Sequence, residues 1–68
     1  MMQTEGRDPF LLTREEAAMR YGVSQRVFDN LYRRNRDFPV IRVGKKVLIP
    51  MALADAWFAS RVGEEITV

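Results

Sequence analysis

The sequence predicts a small α+β domain built from three helices and a two-stranded β-hairpin. Three observations carry that prediction. A threonine capping box opens a first helical segment and a glycine closes it. A serine cap restarts the chain almost at once as a second helix with a clear apolar stripe. Two β-branched runs then flank a Gly-Lys-Lys step, in the manner of a hairpin, before a proline opens a third helical segment.

Each element has a local cause. Residues 1–9, MMQTEGRDP, lack periodicity and contain Gly6 and Pro9, so they are expected to form a flexible tail. Phe10-Leu11-Leu12 is a short apolar lead-in, a candidate single strand. In Thr13-Arg14-Glu15-Glu16 the threonine hydroxyl can accept from the Glu16 amide while the Glu16 carboxylate reaches back to the Thr13 amide. Leu12 and Ala17 suit a weak hydrophobic staple around that cap. The helix is expected to run to Tyr21 and stop at a left-handed Gly22. Ser24 caps the second helix, expected from Gln25 to about Arg34. At 100° per residue Val27, Phe28, Leu31 and Tyr32 share one face, and Arg26, Asp29, Asn30 and Arg33 the opposite one. Asn35, Asp37 and Pro39 end this helix.

Ile41–Val43 and Val47–Ile49 alternate as strands. A two-residue turn at Gly44-Lys45 and a three-residue loop at Gly44-Lys45-Lys46 both fit, and they give different registers. In either case the tip is short and basic. Pro50 opens the third helix, expected from Met51 to about Val62, with Leu53, Ala56, Trp57 and Ser60 on one face and Gly63 as its stop. Leu53 and Trp57 are expected in the core. Residues 10–63 would be the folded domain and residues 64–68 a flexible C-terminal tail.

Composition narrows the function. With 68 residues the chain makes one domain. The absence of Cys and His removes disulfides, thiolate metal sites and the usual general base, so no catalytic residue, metal or cofactor is expected. Glu15 and Glu16 are a first-turn pair suited to the helix dipole, not a catalytic dyad. No run approaches the ~18 apolar residues of a membrane span, and no apolar signal region opens the chain, so a soluble cytoplasmic protein is expected. Net charge is only +2, yet residues 20–46 set eight Arg and Lys against Asp29 and Asp37. A basic middle between acidic ends suggests an anionic partner.

Two helices joined by the Gly-containing turn Tyr21-Gly22-Val23-Ser24 are a helix-turn-helix pattern. The second helix carries arginine and asparagine on its polar face, side chains that read guanine and adenine edges in the major groove. A hairpin with lysines at its tip follows closely, as in a winged helix-turn-helix, where the tip meets a phosphate or the adjacent minor groove. The bland alternative is that the lysines only keep an exposed strand edge soluble.

LTREEAAMRYGVSQRVFDNLYRR, FPVIRVGKKVLIP and LADAWF together resemble the small excisionase-type DNA-binding family, with the AlpA-like phage regulators and, more distantly, the MerR-like winged helix as relatives. The resemblance covers residues 11–61. It rests on the T-x-x-E-A-A opening, the Val-Ser turn, R-V-G-K-K at the wing and the late Leu-x-x-x-Trp. It implies a bacterial or phage protein of a mobile element that directs a recombinase towards excision or regulates transcription. It also implies double-stranded DNA as partner, with an integrase as a second one. By this resemblance Gln25, Arg26, Asn30 and Arg33 match recognition-helix positions, Arg42, Lys45 and Lys46 match the wing, and Leu31, Leu53 and Trp57 match core positions. Arg26, Asn30 and Arg33 would read bases; Arg20, Arg34, Arg42, Lys45 and Lys46 would meet phosphates or the minor groove. Relatives often carry a Gly after the recognition helix, where this chain has Asn35-Arg36-Asp37. Asp29 is expected to restrain Arg26 or Arg33 at helical spacing, or to accept from a cytosine amino group. A protein-interaction adaptor on the same fold is the rival reading. No coiled-coil heptads appear, so a monomer in solution, cooperative on DNA, is expected.

Overall fold

The computed structural model describes residues 10–68; the N-terminal tail expected at 1–9 lies outside them. In chain order the elements are β1 (Leu11–Thr13), α1 (Arg14–Tyr21), α2 (Gln25–Arg34), β2 (Ile41–Val43), β3 (Lys46–Pro50) and α3 (Met51–Ala59).

The expected capping box forms in full. The Thr13 amide donates to Glu16 Oε1 at 2.9 Å, and the Glu16 amide donates to Thr13 Oγ1 at 3.1 Å. Gly22 ends α1 at φ +72°, which glycine adopts without steric cost, and its amide closes the helix on the Ala18 and Met19 carbonyls. Ser24 Oγ accepts from the Val27 amide and starts α2. Asn35 follows α2 in an extended conformation, and its side-chain amide bonds the Leu31 carbonyl. The exit therefore needs no left-handed glycine.

The sheet corrects the two-stranded hairpin. It has three antiparallel strands in the order β1-β3-β2. Leu11–Thr13 supplies the extra strand by pairing Leu12 with Ile49 and Thr13 with Leu48. The physical reason is that β3 has two edges, and a lone β2 would satisfy only one of them. On the other edge Arg42 pairs with Val47 and Val43 with Lys46, which selects the two-residue turn Gly44-Lys45, with Gly44 at φ +60°. Lys46 thus belongs to β3. Cross-strand partners share a face, so Leu12, Arg42, Val47 and Ile49 face the helices. Ile41 and Val43 lie on the outer face, exposed.

Among the described residues nine form the buried core: Ala17, Ala18, Phe28, Leu31, Tyr32, Phe38, Ile49, Ala54 and Trp57. Phe38 is its hub. Its ring meets Phe28 at 5.7 Å, Trp57 at 4.9 Å and Phe58 at 5.7 Å, each edge-on, a favoured aromatic geometry. The expected inner face of α3 holds at Trp57 alone. Trp57 is buried, but Leu53 is 61% exposed, and Ala56 and Ser60 face outward too. The buried row is Ala54 and Trp57, with Phe58 packed against it. Both Ala54 (three back) and Leu53 (four back) lie on Trp57's side of a helix. The small Ala54 is the one that fits where α3 meets the aromatic cluster.

α3 also stops at Ala59, short of the expected Val62. The Arg61 amide bonds the Phe58 carbonyl and the Glu64 amide the Arg61 carbonyl, the tighter i→i−3 pattern. Residues 64–68, expected as a tail, carry no helix or strand. Ile66 nevertheless packs on the core, and the Asn35 amide donates to the Thr67 carbonyl at 2.9 Å. No helix among the described residues is long and apolar enough to cross a membrane.

α1 and α3 are latched by one carboxylate. Asp55 accepts from Arg20 Nε and Nη2 at 3.0 and 2.6 Å and from the Tyr21 hydroxyl at 2.7 Å. Desolvation, followed by the hydrogen bond to Asp55, pushes the Tyr21 hydroxyl up to about 12 from its usual 10. The folded state therefore holds the Tyr21 proton more tightly than the unfolded chain does. That contribution is complete below pH 10 and is lost between pH 10 and 12. The expected result is that melting temperature falls more steeply over this window in the wild type than in Tyr21→Phe. Parallel curves would show that the hydroxyl adds nothing to the latch.

Candidate nucleic-acid interface

α2 projects its polar side away from the core. Phe28, Leu31 and Tyr32 are buried, and Arg26 and Arg33 stand exposed with Asn30 half-buried between them. These three form one outward row at helical spacing. Gln25 is half-buried on the flank nearest the hairpin. Arg34 is exposed on the other flank.

Two grooves bring residues of the hairpin together with residues of α2. The first, of about 310 Å³, joins Thr13, Arg14 and Glu15 at the start of α1 to Gln25 and to Lys45 and Lys46 at the hairpin tip. The second, of about 400 Å³, is lined by Tyr32, Arg33, Arg36, Phe38, Val40 and Arg42. The tip lysines therefore lie at the N-terminal end of α2 and Arg42 at its C-terminal end. Gln25, Lys45 and Lys46 come together in the tip groove, and Arg33 and Arg42 in the arginine groove. Arg34 lines neither.

The acidic residues are distributed as the sequence does not reveal. Asp29 bonds Arg14 of α1 at 3.3 Å, not Arg26 or Arg33 as expected from helical spacing. Its Oδ1 is buried with no partner. Arg20 is bound bidentately by Asp55, so the structure draws it to the α1–α3 latch and away from the α2 surface. Arg61 pairs with Asp37, whose Oδ2 also accepts from the Trp57 indole. Every remaining cation among the described residues, Arg26, Arg33, Arg34, Arg36, Arg42, Lys45 and Lys46, has no carboxylate partner. All of these lie on α2, on the link that follows it, or on the hairpin. Arg36 is the one member that reasoning about recognition-helix and hairpin positions left out. Its signal was present in the Arg33-Arg34-Asn35-Arg36 run, but the helix end hid which side it joins.

Among the described residues no three Asp or Glu side chains cluster as a metal site. The surface is thus an open, cationic strip with hydrogen-bonding side chains along its ridge. No family model, curated protein or solved structure matches the chain, so the reading of this strip rests on its own geometry.

Proposed function

We propose that the protein is a non-enzymatic, sequence-specific binder of double-stranded DNA, using a winged helix-turn-helix in which α2 is the recognition helix and the β2–β3 hairpin the wing. The excisionase-type resemblance gives the proposal its setting: recombination directionality or phage-type transcriptional control in a mobile element, with an integrase as the natural protein partner. One observation carries the reading. Among the described residues three cations elsewhere on the domain are neutralised by aspartates, and the seven left unpaired converge on α2, the link and the hairpin. A surface that served solubility alone would spread charge of both signs around the molecule.

Roles follow from exposure. Arg26, Asn30 and Arg33 form the outer row and would meet base edges, where Arg pairs with guanine and Asn with adenine. Gln25, at the start of the helix, is placed to join them. Lys45, Lys46, Arg36, Arg42 and Arg34 flank this row and would meet phosphates, which orient without specifying.

A salt titration of binding to duplex DNA tests the proposal. Each phosphate neutralised contributes about −0.9 to the slope of log K against log salt, so the seven unpaired cations among the described residues can supply a slope of about −6. A slope between about −3 and −6 is expected. A flat dependence, or no duplex binding at 50 mM salt, would transfer the fold to the adaptor reading, in which it docks another protein.

A further inference from the structure

Each groove is lined by a residue of α2 together with residues of the hairpin. Gln25 lines one and Arg33 the other, eight residues apart, or about 12 Å along the helix axis. Asp29 occupies the same helical row midway between them, with one oxygen on Arg14 and the other unpartnered. Asp29 lines neither groove, and its charge is offset by Arg14, so the two grooves are separate cationic openings.

The arginine groove is chemically distinct from the tip. Three guanidiniums, of Arg33, Arg36 and Arg42, surround it, and no carboxylate lines it. Its floor of Tyr32 and Phe38 is buried in the core and offers a surface rather than a deep hole. The Arg33 guanidinium lies 6.0 Å from the Tyr32 ring, within cation–π range, which steadies it at the rim. Planar forks grouped around an open bowl match the oxygens of a phosphate diester better than they match a point cation site.

Duplex geometry then decides which phosphate. A helix in the major groove and a hairpin in the adjacent minor groove are separated by one sugar–phosphate strand, so that strand has to pass between them. We propose that the arginine groove is a second backbone clamp, holding a phosphate of the same strand whose other phosphate sits in the tip groove. The inference rests on the duplex-binding reading above. It puts Arg36 and Arg42 on one phosphate, leaves Arg33 at the rim to reach a base edge, and fixes the strand that lies between helix and hairpin.

The test has two parts. Arg36→Ala with Arg42→Ala removes two exposed, unpaired side chains, so the fold should survive, checked by an unchanged thermal melt. On random-sequence duplex this variant should flatten the salt slope by about 0.9, because two guanidiniums share one phosphate. An unchanged slope would overturn the clamp. A duplex recovered by selection from a random pool is then scanned with single methylphosphonate substitutions. Neutralisation should weaken wild-type binding at two separated positions on one strand, and the variant should lose sensitivity at one of the two only. Sensitive positions on opposite strands, or an unbroken run between the two, would overturn the single-strand path. A wild-type protein that binds no duplex, or selects no site, would remove the proposed function itself and this inference with it.

Discussion

Trp57→Ala is expected to leave the domain unfolded at room temperature. Trp57 is only 7% exposed and packs edge-on against Phe38 at 4.9 Å and Phe58 at 5.2 Å. Its indole nitrogen donates to Asp37 Oδ2 at 3.2 Å, and the Arg61 guanidinium lies 4.0 Å from its ring. Truncation therefore empties one side of the Phe38 hub and frees Asp37 and Arg61 together. Aromatic-to-alanine changes in cores cost about 3–5 kcal/mol. Domains have about 5–15 kcal/mol in total, and so small a chain belongs at the low end. Far-UV circular dichroism during a thermal melt is the measurement, because the mutation removes the chain's one tryptophan fluorophore. Trp57→Phe serves as a graded control. It keeps a ring beside Phe38 and loses the indole bond, so it should melt cooperatively at a lower temperature than the wild type. A cooperative melt of Trp57→Ala within a few degrees of wild type would show that the aromatic cluster is not what closes the domain.

The elements that sequence reasoning located are those whose causes lie within four residues. The Thr13–Glu16 box, the Gly22 stop, the Ser24 cap and the Phe28/Leu31/Tyr32 stripe are all of this kind. What it missed depended on contacts between distant residues. Phe10-Leu11-Leu12 was readable as a candidate strand, but not its place in the sheet, because its partner, β3, is some 37 positions away. The turn at the hairpin was undecided because Gly44 permits either loop, and only packing of Val47 and Ile49 against the helices chooses a register. On α3 the periodicity allowed either Ala54 or Leu53 beside Trp57, and space decided. The candidate surface shows the same division. Its outward row was readable from the helical wheel. Which arginines were already neutralised was not, since Arg14–Asp29, Arg61–Asp37 and Arg20–Asp55 span 15, 24 and 35 residues. Those three pairs turn a diffuse basic middle into a strip.

Replacing both tip lysines, Lys45→Ala with Lys46→Ala, is expected to cost about sixtyfold in DNA affinity at 0.1 M salt. The estimate follows from the tip groove, where the two ammonium groups stand beside Gln25 at the start of α2 without a carboxylate partner. Arg14 lines the same groove, but Asp29 already offsets its charge. If each lysine neutralises one phosphate, the log–log salt slope flattens by about 1.8, and over the tenfold range from 1 M to 0.1 M that amounts to nearly two decades of affinity. The fold should be unaffected. Lys46 contributes its backbone to the ladder opposite Val43, which alanine preserves, and Gly44 with its left-handed φ is kept. The loss should be equal on random and selected duplexes, because phosphate contacts carry no sequence information. Asn30→Ala supplies the contrast: a half-buried side chain on the outer row, whose removal should relax preference at one or two base pairs, a discrimination of about 1–3 kcal/mol, and leave the salt slope unchanged. The measurement is a salt series for both variants and the wild type on the two duplexes. If the lysine variant kept the wild-type slope, the tip would serve only to keep the exposed edge of β2, with Ile41 and Val43 at the surface, from pairing with other chains.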